Sequence, residues 1–177
     1  MKSKFASILA AVLLAVFCIS STVSDASAQA RPSPHGSILS VEPLGLLGIG
    51  DQFRHLQLQY EWRTTQENSW AIRATLVPTY ANYNGFGVGG SYRFYIADSR
   101  ALTGLNVSPG LDIYLVTIGD ESYTSFAVGG DVAYKWIFDN IGVEPYFRLR
   151  QLFAGTEGVS AFSGTFWGFG VYLGYAW

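Results

Sequence analysis

The stretch Phe166–Trp177, FWGFGVYLGYAW, decides the fold. Trp167, Phe169, Val171, Leu173, Tyr175 and Trp177 share one parity, and Gly168, Gly170, Tyr172, Gly174 and Ala176 share the other. Successive side chains of a strand point to opposite faces. The segment therefore reads as a strand with one bulky apolar face and one nearly bare face. A helix, whose faces repeat every 3.6 residues, would mix the two sets.

The same period recurs upstream. Alternation and turn signals predict eight strands at 37–49, 53–63, 69–81, 84–97, 101–118, 123–138, 141–153 and 165–177. They are separated by GIGD, TTQEN, NYNG, ADSR, GDES, Asp139-Asn140 and AGTEGVSAFSG. In the second, Leu56, Leu58, Tyr60 and Trp62 oppose His55, Gln57, Gln59, Glu61 and Arg63. In the sixth, Phe126, Val128, Val132, Tyr134, Trp136 and Phe138 oppose Ser125, Ala127, Gly129, Asp131, Ala133 and Lys135. Strands joined in order by short links predict an all-β, up-and-down antiparallel sheet, and closure into a barrel removes its exposed edges.

Size decides which face lies inside. Eight strands enclose only enough space for side chains to fill. The Trp, Phe, Tyr and Leu face is too bulky for that space. The other face, with Gly85, Gly87, Gly89, Ser91, Gly129, Gly168, Gly170 and Gly174, leaves room for the charged residues that share it. A greasy exterior and a polar interior predict a transmembrane barrel rather than a lipocalin-like ligand binder. With the N-terminus in the periplasm, Trp62, Trp70, Trp136 and Trp177 fall at the periplasmic rim and Trp167 at the outer rim, as an aromatic girdle would.

The start of the chain agrees with export. Lys2 and Lys4 precede the apolar run FASILAAVLLAVFCI, and Ala26-Ser27-Ala28 has the form of a cleavage site. Residues 1–28 are thus expected to be a signal peptide, 29–36 a Pro-rich periplasmic leader and 37–177 the barrel. The single cysteine, Cys18, lies in the apolar run, so disulfides and thiol chemistry are not expected of the mature chain. The chain carries 11 basic and 13 acidic residues, which excludes the basic footprint of a nucleic-acid binder.

These features resemble the small eight-stranded outer-membrane barrels of the OmpA/OmpX type and related barrel domains of unknown function. The resemblance covers residues 37–177 and rests on the signal peptide, the strand count, FGVGGSYRFY (86–95) and the aromatic last strand. It implies a location in the outer membrane of a Gram-negative bacterium with both termini periplasmic, contact with lipid and lipopolysaccharide, and a monomer. In Phe169, Val171, Leu173, Tyr175 and Trp177 it implies the signal read by the barrel-assembly machinery. The links at the outer end are shorter than many members of the group carry.

A two-residue turn at Asp139-Asn140 sets Lys135 opposite Glu144 and Asp131 opposite Arg148. Counting through the other turns sets Glu61 opposite Arg73, Arg73 beside Arg93, and Asp112 beside Asp131, with Arg148 shared by the two aspartates. Gly168 and Gly170 then fall across from Arg150 and Arg148. The expectation is a lumen plugged by ion pairs, with a structural or envelope-interaction role and no catalysis. A narrow channel for ions or small solutes is the alternative, and a lipid-modifying enzyme a second. Against the enzyme, His35 lies in the leader, and His55 stands near no evident nucleophile. No metal-ligand cluster, cofactor motif or phosphate loop is present, and GFGVGG lies within a strand rather than before a helix.

Overall fold

A computed structural model describes residues 35–47, 54–80, 83–96, 101–154 and 164–177. Residues 1–34, where the expected signal peptide and most of the expected leader fall, and the links at 48–53, 81–82, 97–100 and 155–163 lie outside the described residues. The strands are β1 (Ser37–Glu42), β2 (Leu56–Arg63), β3 (Asn68–Tyr80), β4 (Tyr83–Tyr95), β5 (Gly104–Ile118), β6 (Glu121–Phe138), β7 (Ile141–Ala154) and β8 (Gly164–Ala176). They form a closed antiparallel barrel in sequence order. β1 closes it against β8, with Ile38 opposite Ala176 and Val41 opposite Leu173. The closing seam is short: β1 pairs with β8 over Ile38–Val41 and Leu173–Ala176, at one end of the barrel.

Three strand boundaries differ from the sequence reading by three residues or more, and the others by at most two. β1 ends at Glu42, and a 3-10 turn follows at Leu44–Leu47. Glu42 imposes that turn: its carboxylate accepts hydrogen bonds from the Leu44 and Gly45 amides. β2 begins at Leu56, not at 53, and the preceding His55 amide donates to the Gly45 carbonyl. β5 begins at Gly104, not at 101, because Ala101 and Leu102 fold into the end of the barrel and are buried. Leu102 adopts φ 74. This backbone is costly for a leucine, and its fully buried side chain packs with Ile38, Ala176 and Ile137. This cluster closes the end at which the described chain begins and finishes, called the near end.

Strand register corrects most of the expected neighbours. Glu61 lies opposite Ala71, and Arg73 opposite Gln59, because Thr64 and Thr65 both bond to Asn68 and shorten the TTQEN link. Arg73 lies opposite Gly89, and Arg93 opposite Ser69. Here Tyr80 pairs with Tyr83, and the register shifts between Val77 and Tyr80, where Pro78 has no amide for the ladder. Asp112 lies opposite Ala127, because Gly119-Asp120 makes a two-residue turn with Gly119 at φ 61. Gly168 lies opposite Arg148, and Gly170 opposite Tyr146. The Asp131–Arg148 pairing is as expected.

Each of these shifts is an even number of residues, so no side chain changes face. On β8, Phe169, Leu173, Tyr175 and Trp177 are exposed, while Gly168, Gly170, Tyr172 and Ala176 are buried. Inward glycines make the space: a Cβ at Gly110 would meet the Ser91 side chain and the Arg73 guanidinium, and one at Gly89 would overlap the Asp112 carboxylate and the Leu111 carbonyl. Outward Gly90 has only ordinary contact in the same direction. Gly89→Ala should therefore cost about 1–3 kcal/mol, whereas Gly90→Ala should be nearly neutral. Urea unfolding of the two variants in the same micelles or vesicles measures the difference; equal costs would refute the inward assignment of Gly89.

Candidate functional site

The barrel interior is the site. Ten charged residues are buried among the described ones: Glu42, Glu61, Arg73, Arg93, Asp112, Asp131, Lys135, Glu144, Arg148 and Arg150. Burial of charge is tolerated when each ion is paired and its remaining donors and acceptors are satisfied. The interior pairs its ions in two layers, although Arg93 Nε, Glu144 Oε2 and Arg150 Nη2 make no hydrogen bond.

The near layer joins β2, β4, β6 and β7. Arg93 bonds Glu144 and lies 2.9 Å from Glu61 Oε2. Lys135 bonds Glu61 and lies 3.1 Å from Glu144 Oε2. Two cations and two anions thus form a closed square. Tyr95 donates to Glu61 at 2.6 Å, Ser69 also donates to Glu61, and Arg93 Nη2 donates to Gln59 at 2.8 Å.

The middle layer joins β2, β3, β5, β6, β7 and β8. Arg73 Nη2 is 2.9 Å from Asp112 Oδ1, and its Nη1 is 3.5 Å from Asp131 Oδ2. Arg148 Nε donates to Asp131 Oδ1 at 3.0 Å. Arg150 Nε donates to Asp112 Oδ2 at 3.0 Å, and its Nη2 lies 3.0 Å from Asp131 Oδ1. The two aspartates therefore share Arg73 and Arg150, and Arg148 pairs with Asp131, correcting the expected sharing of Arg148. Gln57 Oε1 accepts from Arg148 Nη1 at 3.0 Å and from the Tyr172 hydroxyl.

A third pair stands at the far end, where Glu42 Oε2 is 3.4 Å from His55 Nε2. Glu42, Gln57, Gln59, Tyr95 and Tyr172 take part without having been assigned to the network from sequence. Their signal was parity, since each lies on the inward face of its strand.

The tryptophans follow the ends. Trp62 lies opposite Trp70, close to the β2–β3 turn. Tyr60 stacks between Trp62 and Trp177, with ring centroids 5.7 and 6.1 Å away. Trp136 packs on Tyr134 at 4.6 Å. These four tryptophans ring the near end, and Trp167 stands toward the far end, opposite Leu149. Phe169, Leu173, Tyr175 and Trp177 are exposed and Val171 half-buried on the outward face of β8.

Chemically, the layers neutralise charge and fix strands to one another across the lumen. Among the described residues no group of His, Cys, Asp or Glu is arranged to hold a metal ion. Comparison with protein-family models, curated proteins and solved structures finds no match.

Asp131 is the hub of the middle layer, within ion-pair distance of three arginines. Asp131→Asn, equal in volume, should cost about 3–5 kcal/mol by leaving buried cations uncompensated. Glu121→Gln, at an exposed position, should stay within about 0.5 kcal/mol of the parent. Denaturant unfolding in one lipid system compares them, and similar values would show that the middle layer does not stabilise the barrel.

Proposed function

We infer that this chain is an outer-membrane β-barrel with a packed polar lumen and a non-catalytic role, structural or in interactions of the cell envelope. The observation that carries the reading is the inverted distribution of side chains. Every strand exposes large apolar residues: Leu39, Leu58, Ile72, Val88, Leu111, Val128, Leu149 and Leu173 are one example from each. The charged residues of the strands lie mostly inside. Soluble monomers rarely expose contiguous apolar patches beyond a few hundred Å². In hydrocarbon the same surface carries no penalty, and a closed barrel satisfies its own backbone groups there.

Dimensions agree. β3 has 13 residues; at about 3.3 Å per residue and a tilt of about 40°, it covers about 33 Å, enough for the roughly 25 Å apolar band of such barrels. The aromatic near end would then be the periplasmic interface, with both termini on that side. Lipid and lipopolysaccharide would be the surrounding partners, and the outward face of β8 the surface offered to the assembly machinery. The ion-paired layers and the Leu102 stopper favour a sealed monomeric barrel over a channel.

Folded protein should float with liposomes and migrate faster on SDS gels unheated than boiled. In planar bilayers it should give no discrete openings. A detergent-independent soluble fraction would refute the membrane assignment, and reproducible unitary conductance would establish the channel. Lipid A that changes in mass when the protein is expressed would instead reveal an enzyme.

A further inference from the structure

Toward the far end, above the middle layer, the lumen widens into a cavity of about 100 Å³. Arg148 and Arg150 line one part of it, and Val77, Val116, Leu152 and Phe166 form an apolar wall. The cavity is well below the 300–1,000 Å³ of ordinary ligand pockets. It suits the head and first carbons of a small molecule.

The charge balance of its floor is uneven. Three guanidiniums, those of Arg73, Arg148 and Arg150, are set against two carboxylates, those of Asp112 and Asp131. The near layer is balanced by itself. Glu42, the remaining buried acid, is engaged by the Leu44 and Gly45 amides and by His55. Among the described residues this layer therefore holds one more cation than anions, while the ten buried charges of the lumen balance five against five. Arg150 is 3 % exposed, lines the cavity, and its Nη2 makes no hydrogen bond, approaching Asp131 only as an ion pair.

We propose that the cavity binds a small monocarboxylate, its anionic head on Arg148 and Arg150 and its apolar body among Val77, Val116, Leu152 and Phe166. A single negative charge completes the layer, and a planar carboxylate matches the guanidinium fork. The apolar walls select an acid with a hydrocarbon body over an inorganic anion. The site depends on the closed barrel and not on the compartment that holds it.

The test titrates hexanoate, 1-hexanol and acetate into the full chain folded in zwitterionic micelles, following the Gly168 and Leu152 amides by NMR. Hexanoate should saturate at a concentration at least tenfold below either of the others. Arg150→Met should reduce hexanoate binding to the level of hexanol, and Leu152→Trp, which fills the cavity with both arginines in place, should abolish it. Equal affinity for hexanoate and hexanol would overturn the arginine head site, and equal affinity for acetate would overturn the apolar wall. No saturable shift, or unchanged binding in Leu152→Trp, would overturn the pocket itself. Gel migration checks that each variant folds; should Arg150→Met fail to fold, the three ligands and Leu152→Trp decide the matter.

Discussion

Charge confined to a narrow tube governs this structure. An eight-stranded barrel has room inside for side chains and little else, yet five acids and five bases are buried here among the described residues. Each must find its counter-charge within the lumen. The partners come from across the barrel more than from the adjoining strand: Arg93 on β4 reaches Glu144 on β7, Lys135 on β6 reaches Glu61 on β2, and Arg150 on β7 reaches Asp112 on β5. Such contacts join strands that share no backbone hydrogen bonds. The inward glycines follow from the same constraint, since Gly89 and Gly110 vacate the volume that Asp112 and Arg73 occupy.

Which residues face inward was legible in the alternation, and which residues touch was not. The glycine face of β8 and the charged parity of β6 and β7 turned inward as read. Contacts depend on turn lengths, which alternation leaves open: Gly119-Asp120 makes a two-residue turn where a longer link was expected, and this moves Asp112 from Asp131 to Ala127. Because the errors were even, the composition of the lumen survived them while its neighbour list did not. Asp131 with Arg148 was correct because the Asp139-Asn140 turn was read at its true length. Contacts spanning the lumen were out of reach, since they depend on barrel closure and on the reach of arginine. Leu102 was misread as strand because nothing in its local pattern marks a left-handed residue.

The two ends differ physically. The near end is closed by Leu102, Ile38 and Ala176 below a balanced square of ions. Toward the far end lies a layer that holds, among the described residues, one more cation than anions. A plugged structural barrel needs only the first feature.

The central claim is that apolar side chains face hydrocarbon while the charged set is sealed within. Spin labels on single cysteines along β6, introduced with Cys18 replaced, test it in lipid vesicles through collision with oxygen and with a water-soluble nickel chelate. Labels at Phe126, Val128 and Val132 should be relaxed by oxygen and spared by the chelate, with labels at Ala127 and Ala133 shielded from both. Chelate access at Val128 equal to that at exposed Glu121 would contradict the account.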